Sequence, residues 1–177
     1  MKKLLTIVGI QVGWFASTLG AAKGLFWLGP VVVTLLVIIH LAVTKDRKKE
    51  SIFILLAAIF GTLVDSFKKV SGLVNYQSDF PGFSWLAPCW ITALWVIFSA
   101  GFNETMAWLR KRYLLAFLFG LIGGPASYFA AARLGAISFS YSNNVTIVSL
   151  GIIWGLVMPS LSYLSVYLEK IEKEKSL

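Results

Sequence analysis

The stretch SIFILLAAIFGTLVDSFKK, Ser51–Lys69, decides the fold. It carries no charge from Ser51 to Val64 and then, still within spanning length, reaches Asp65. An ionised side chain in hydrocarbon costs at least about 2.5–3.5 kcal/mol on insertion scales, so this carboxylate has to face partners, water or a ligand and not lipid. At a helical rise of about 1.5 Å per residue it lies about 20 Å from the start of the segment, within a hydrocarbon core about 30 Å thick. The stretch therefore reads as a spanning helix with one polar site in its far half.

The rest of the chain agrees with it. With 58% apolar, 15% aromatic and 14% charged residues, there is too little polar surface to coat a soluble globule of 177 residues. Apolar runs at about 4–22, 25–44, 51–70, 85–108, 113–133 and 143–168 predict an all-α, polytopic membrane helical bundle. The six transmembrane helices take up nearly all of residues 1–177, leaving a single integral membrane domain and no soluble module.

The net charge of +8 raises nucleic acid as a partner, and the placement of the charges excludes it. Lys2, Lys3, the Lys45–Glu50 turn, Arg110 to Arg112 and the tail from Lys170 to Lys175 fall on one side of an alternating bundle. Only Lys23, Lys68, Lys69 and Arg133 fall on the other. The positive-inside rule then puts both termini in the cytoplasm. The first segment also resembles a secretory signal, but Gln11 and Trp14 interrupt its apolar stretch and its removal would leave an odd number of spans, so it is expected to be retained.

Chemistry-bearing motifs are sparse. Cys89 and His40 are the only residues of their kinds, so neither a disulfide framework nor a His- or Cys-based metal site is expected, and no cofactor is implied. His40 reads as an interfacial imidazole. Nucleophile elbows, HExxH, phosphate-binding loops and DxxxD arrays are all missing from the sequence. Gly9, Gly13 and Ser17 recur at four-residue spacing on the first helix, which predicts a close packing seam within the chain or with a partner helix.

The remaining polar residues converge by depth. The third and fifth helices run outward and the fourth and sixth run inward, so Asp65, Trp90, Ser127, Tyr128, Arg133 and Asn144 all fall in the outer half. These six form the candidate ligand-binding set. A carboxylate, a guanidinium, a phenol and an amide at similar depth either satisfy one another or bind a polar head from the outer leaflet. Asp65 is expected to bond to Arg133, Tyr128, Asn144 or Trp90, while Lys68 and Lys69 pair with it and snorkel outward. Trp95, near the midplane, has to pack inside the bundle or line a pocket. Pro125, following Gly123 and Gly124, is expected to kink or open the fifth helix.

The stretches QVGWFASTLG, GTLVDSF, LAPCWITALWVIFSAGFNETMAWL and GGPASYFAAARLGA, spread from Gln11 to Ala136, resemble the signatures of the bacterial inner-membrane family of unknown function 2878. That resemblance implies a multi-pass protein of the bacterial cytoplasmic membrane, with membrane lipids as partners and a link to genes for modified fatty acids, but no assigned activity. Glu104 departs from it, standing where a small or basic polar residue is expected. Three roles remain open: lipid handling, as an enzyme or accessory in fatty-acyl modification; transport, by likeness to the substrate-binding subunits of energy-coupling-factor transporters; and a purely structural role. A lateral opening between helices would mark the first, a cavity capped by the loop at 70–84 the second, and the absence of a cavity the third.

Overall fold

A computed structural model describes residues 2–175. The described residues form six α-helices: α1 (Lys2–Ala22), α2 (Leu28–Val43), α3 (Arg47–Val70), α4 (Cys89–Thr105), α5 (Tyr113–Arg133) and α6 (Asn143–Lys175). Two short strands, β1 (Asn75–Tyr76) and β2 (Ile137–Ser138), lie in the connections after α3 and α5. Among the described residues, four helices, α1, α3, α5 and α6, are long and apolar enough to cross a membrane. Large apolar side chains such as Leu55, Leu63, Ile122, Val148 and Leu156 face outward while Asp65, Lys68 and Glu50 are buried. This inverts the distribution of a water-soluble domain, and lipid is the surrounding that makes it favourable.

Helix boundaries follow local chemistry. Asp46 caps α3 by accepting a hydrogen bond from the Lys49 amide at 3.1 Å. The helix ends at Gly72, whose φ of 72° lets its N–H bond to the Lys69 carbonyl while the Val74 amide returns to Lys68. Gly135, at φ 83°, does the same for α5, with the Ala136 amide returning to Ala131. The expected fourth span at 85–108 is shorter, because Pro88 has no N–H to donate and is extended, and a separate 3₁₀ turn at Ala107–Leu109 follows the helix. The sixth helix instead runs past 168 to Lys175, where Lys49 and Glu172 pair at 2.8 Å.

The bundle has two parts. α4 packs against α1, α2 and α3, whereas α5 and α6 form a tight hairpin that meets the others chiefly through α3. The small residues of α1 serve the first part: Gly13 lies under Ile97 and Val33, and Ser17 packs on Gly29. In the hairpin, a Cβ at Gly120 would strike the Trp154 carbonyl and one at Gly124 would strike the Trp154 side chain. α5 remains helical through Pro125, so the opening expected there does not occur. The Leu121 carbonyl, which Pro125 leaves without its usual partner, lies against α6, where a Cβ at Gly151 would be 3.1 Å away.

A polar network ties the helices together at the end carrying Lys45–Glu50. The buried Glu50 carboxylate meets His40 at 3.2 Å and accepts from Asn103 at 2.9 Å. Asn103 in turn accepts from Arg110 and Ser165, and Arg110 reaches Glu169 at 3.3 Å. His40 is thus a member of an internal network and not a freely hydrated imidazole.

Candidate functional site

The opposite end carries the site. Gly61, Asp65 and Lys68 recur at four- and three-residue spacing and so share one face of α3. Gly61 has no side chain, which lets the Trp95 ring of α4 lie directly on the helix backbone, where a Cβ would overlap it. Trp95 then donates its Nε1–H to Asp65 Oδ2 at 2.6 Å. Asp65 Oδ1 accepts from the Tyr76 and Tyr128 hydroxyls and from Lys68 Nζ, the last at 2.8 Å. Lys68 also donates to the Tyr128 hydroxyl and lies 4.2 Å from that ring's centroid.

Both charges are withdrawn from solvent, with Asp65 at 1% and Lys68 at 0% exposure. Such burial is tolerable because the opposite charge is adjacent and each carboxylate oxygen has a donor. The Tyr76 phenol, on the connecting strand, is pushed well above its ordinary range by burial first and by the Asp65 charge second, so it remains a donor.

Beside the pair is a cavity of about 90 Å³. Trp14, Trp90, Trp95, Phe98 and Trp154 line it together with aliphatic side chains such as Ile91 and Leu94, with Asp65, Tyr128 and Ser127 as polar elements. Trp95 and Trp154 stack across the seam between the two parts of the bundle, with centroids 5.0 Å apart and planes 4° apart. Strands β1 and β2 close one end: Tyr76 pairs with Ile137, and both line the cavity. The closure is fastened by the Trp90 Nε1–H on the Gln77 carbonyl at 2.9 Å and by the Ala87 amide on Ser66 at 2.9 Å. Away from the strands, the half-buried wall residues Trp14, Leu94 and Phe98 stand at mid-helix height.

Of the six residues selected from sequence, Asp65, Trp90, Ser127 and Tyr128 converge on this cavity. Arg133 and Asn144 do not. Arg133 is exposed at the end of α5, where a cation also suits the helix dipole, and Asn144 is exposed at the start of α6. The guanidinium expected beside Asp65 is replaced by Lys68, which turns inward and does not snorkel. Lys69, one residue on and about 100° around the helix, takes the outward course to Asp79 at 2.6 Å and the Leu86 carbonyl at 3.0 Å. Tyr76 and Trp154 were missed as site residues. The first stands in a polar loop and the second in an apolar run, and neither setting signals burial beside a charge.

The sequence signature of the family described as protein of unknown function (DUF2878) matches residues 3–160. No curated protein and no solved structure matches the chain.

Proposed function

We propose for this chain, which belongs to the DUF2878 family of proteins of unknown function, the role of a multi-pass membrane protein that receives the head of a lipid-like amphiphile in its aromatic cavity. The observation that carries this reading is a buried Asp65–Lys68 pair whose carboxylate lines a mainly apolar cavity rich in aromatic side chains. A few fixed polar groups in a mainly apolar concavity are what orient a bound small molecule. Closure by the strands at one end, with half-buried apolar residues at mid-helix height, suits entry from the bilayer. The same closure favours a second reading, in which the cavity belongs to a transport component and Tyr76 is part of its lid.

In this reading all six helices cross the cytoplasmic membrane of a bacterium, with both termini in the cytoplasm. α2 and α4, at 16 and 17 residues, span about 24–26 Å, a shortfall that local thinning and snorkelling accommodate. In a Cys89→Ser background, Arg47→Cys is expected to react with an impermeant maleimide only after the membrane is opened. Labelling of intact cells would overturn the orientation.

The functional test is lipid profiling of a deletion strain complemented with wild type or Asp65→Asn. Wild type is expected to restore the profile while a folded Asp65→Asn protein does not. If Asp65→Asn lowers thermal stability yet restores the profile in full, the pair is structural, and if deletion leaves the profile unchanged, the lipid role is wrong.

A further inference from the structure

Resting on the amphiphile reading, we infer that the head accepted by the cavity is electrically neutral and carries a hydrogen-bond-accepting oxygen, as an ester or ketone does. Three observations lead there. The first is charge: the only ionised groups among the lining and adjoining residues described, Asp65 and Lys68, are 2.8 Å apart and cancel. A charged head would enter a low-dielectric cavity with no unpaired counter-ion, which is heavily disfavoured.

The second concerns cations in particular. Aromatic walls ordinarily recommend a quaternary ammonium. Here the two rings nearest the charge pair already hold a cation, because Lys68 Nζ lies 4.2 Å from the Tyr128 centroid and 5.6 Å from that of Trp154. The Lys68 ammonium behind these rings repels an arriving cation, and the Asp65 carboxylate in the wall repels an arriving anion.

The third is the remaining hydrogen-bonding capacity. Trp95 commits its N–H to Asp65 and Trp90 commits its own to Gln77, while both tyrosine hydroxyls donate to Asp65. Trp154 also lines the cavity, and its buried Nε1 lies by the Tyr128 hydroxyl without completing a hydrogen bond of ordinary geometry to it. A buried N–H left unmade is costly, and an acceptor oxygen on the occupant would remove that cost.

The test uses protein in phosphatidylcholine nanodiscs loaded with methyl palmitate, hexadecylsulfonate or hexadecyltrimethylammonium at matched mole fraction. Methyl palmitate is expected to raise Tm at a loading about tenfold below that needed by either charged probe, and Trp154→Phe to weaken the ester about tenfold, the value of one hydrogen bond. Should Trp154→Phe fail to fold, an isotope-labelled ester carbonyl in the wild-type protein carries the test, since its infrared stretch is expected to shift down on binding. Binding of a charged probe as tight as that of the ester, or an unshifted carbonyl band, would overturn the neutral head while leaving the amphiphile reading in place. If none of the three probes changes Tm, both readings fall together.

Discussion

Lys68→Met is expected to destabilise the folded protein by about 3–5 kcal/mol, because it leaves the Asp65 carboxylate buried without its counter-charge. Tyr76, Tyr128 and Trp95 still donate to the carboxylate, but neutral donors do not replace a cation 2.8 Å away. Adding Asp65→Asn to the same chain removes the stranded charge and is expected to recover most of the loss. The measurement is denaturant or thermal unfolding of the two single variants and the double variant. A double variant no more stable than Lys68→Met would show that the cost does not come from the unpaired charge. The cycle also separates stability from function, since a double variant that folds but fails to restore the lipid profile places the pair at the binding step.

The second large effect comes from a single methyl group. Gly61→Ala would put a Cβ inside the volume of the Trp95 ring. The indole has to move, and with it go its stack on Trp154 and its hydrogen bond to Asp65. Overpacking costs about 1–3 kcal/mol, and loss of a hydrogen bond to a charged group adds about 1.5–3 kcal/mol. The control is Gly9→Ala on α1, where an added Cβ meets nothing within 4 Å, so Tm should hardly move. Near-ultraviolet circular dichroism is expected to lose tryptophan signal in Gly61→Ala alone. Equal Tm values for the two alanine variants would mean that Trp95 does not depend on the missing side chain.

The two substitutions mark where reading along the chain stops. Hydropathy and charge placement were enough for the helical architecture, because the cost of placing backbone and charge in lipid is imposed residue by residue. The same cost required Asp65 to find internal partners, and depth alone brought Tyr128, Trp90 and Ser127 to its level. Depth could not supply azimuth. Arg133 and Asn144 stand at suitable heights yet point outward, since helices apolar on every side carry little amphipathic phase to show which face turns inward.

The counter-ion shows the division most directly. Lys68 and Lys69 are adjacent and chemically identical, and nothing in their order selects one to be buried and the other to meet Asp79. The packing of α5 and α6 makes the choice: Gly120 and Gly124 admit Trp154, Trp154 and Tyr128 stand against the Lys68 side of α3, and the ring faces receive its ammonium. By itself the sequence determined a membrane bundle organised around one carboxylate that had to face inward, because that demand is local to Asp65. Only the tertiary structure decided that Lys68, Tyr76 and Trp95 bond to it and that Trp154 stands over the Lys68 ammonium, because those contacts depend on how four separate segments are rotated and brought together.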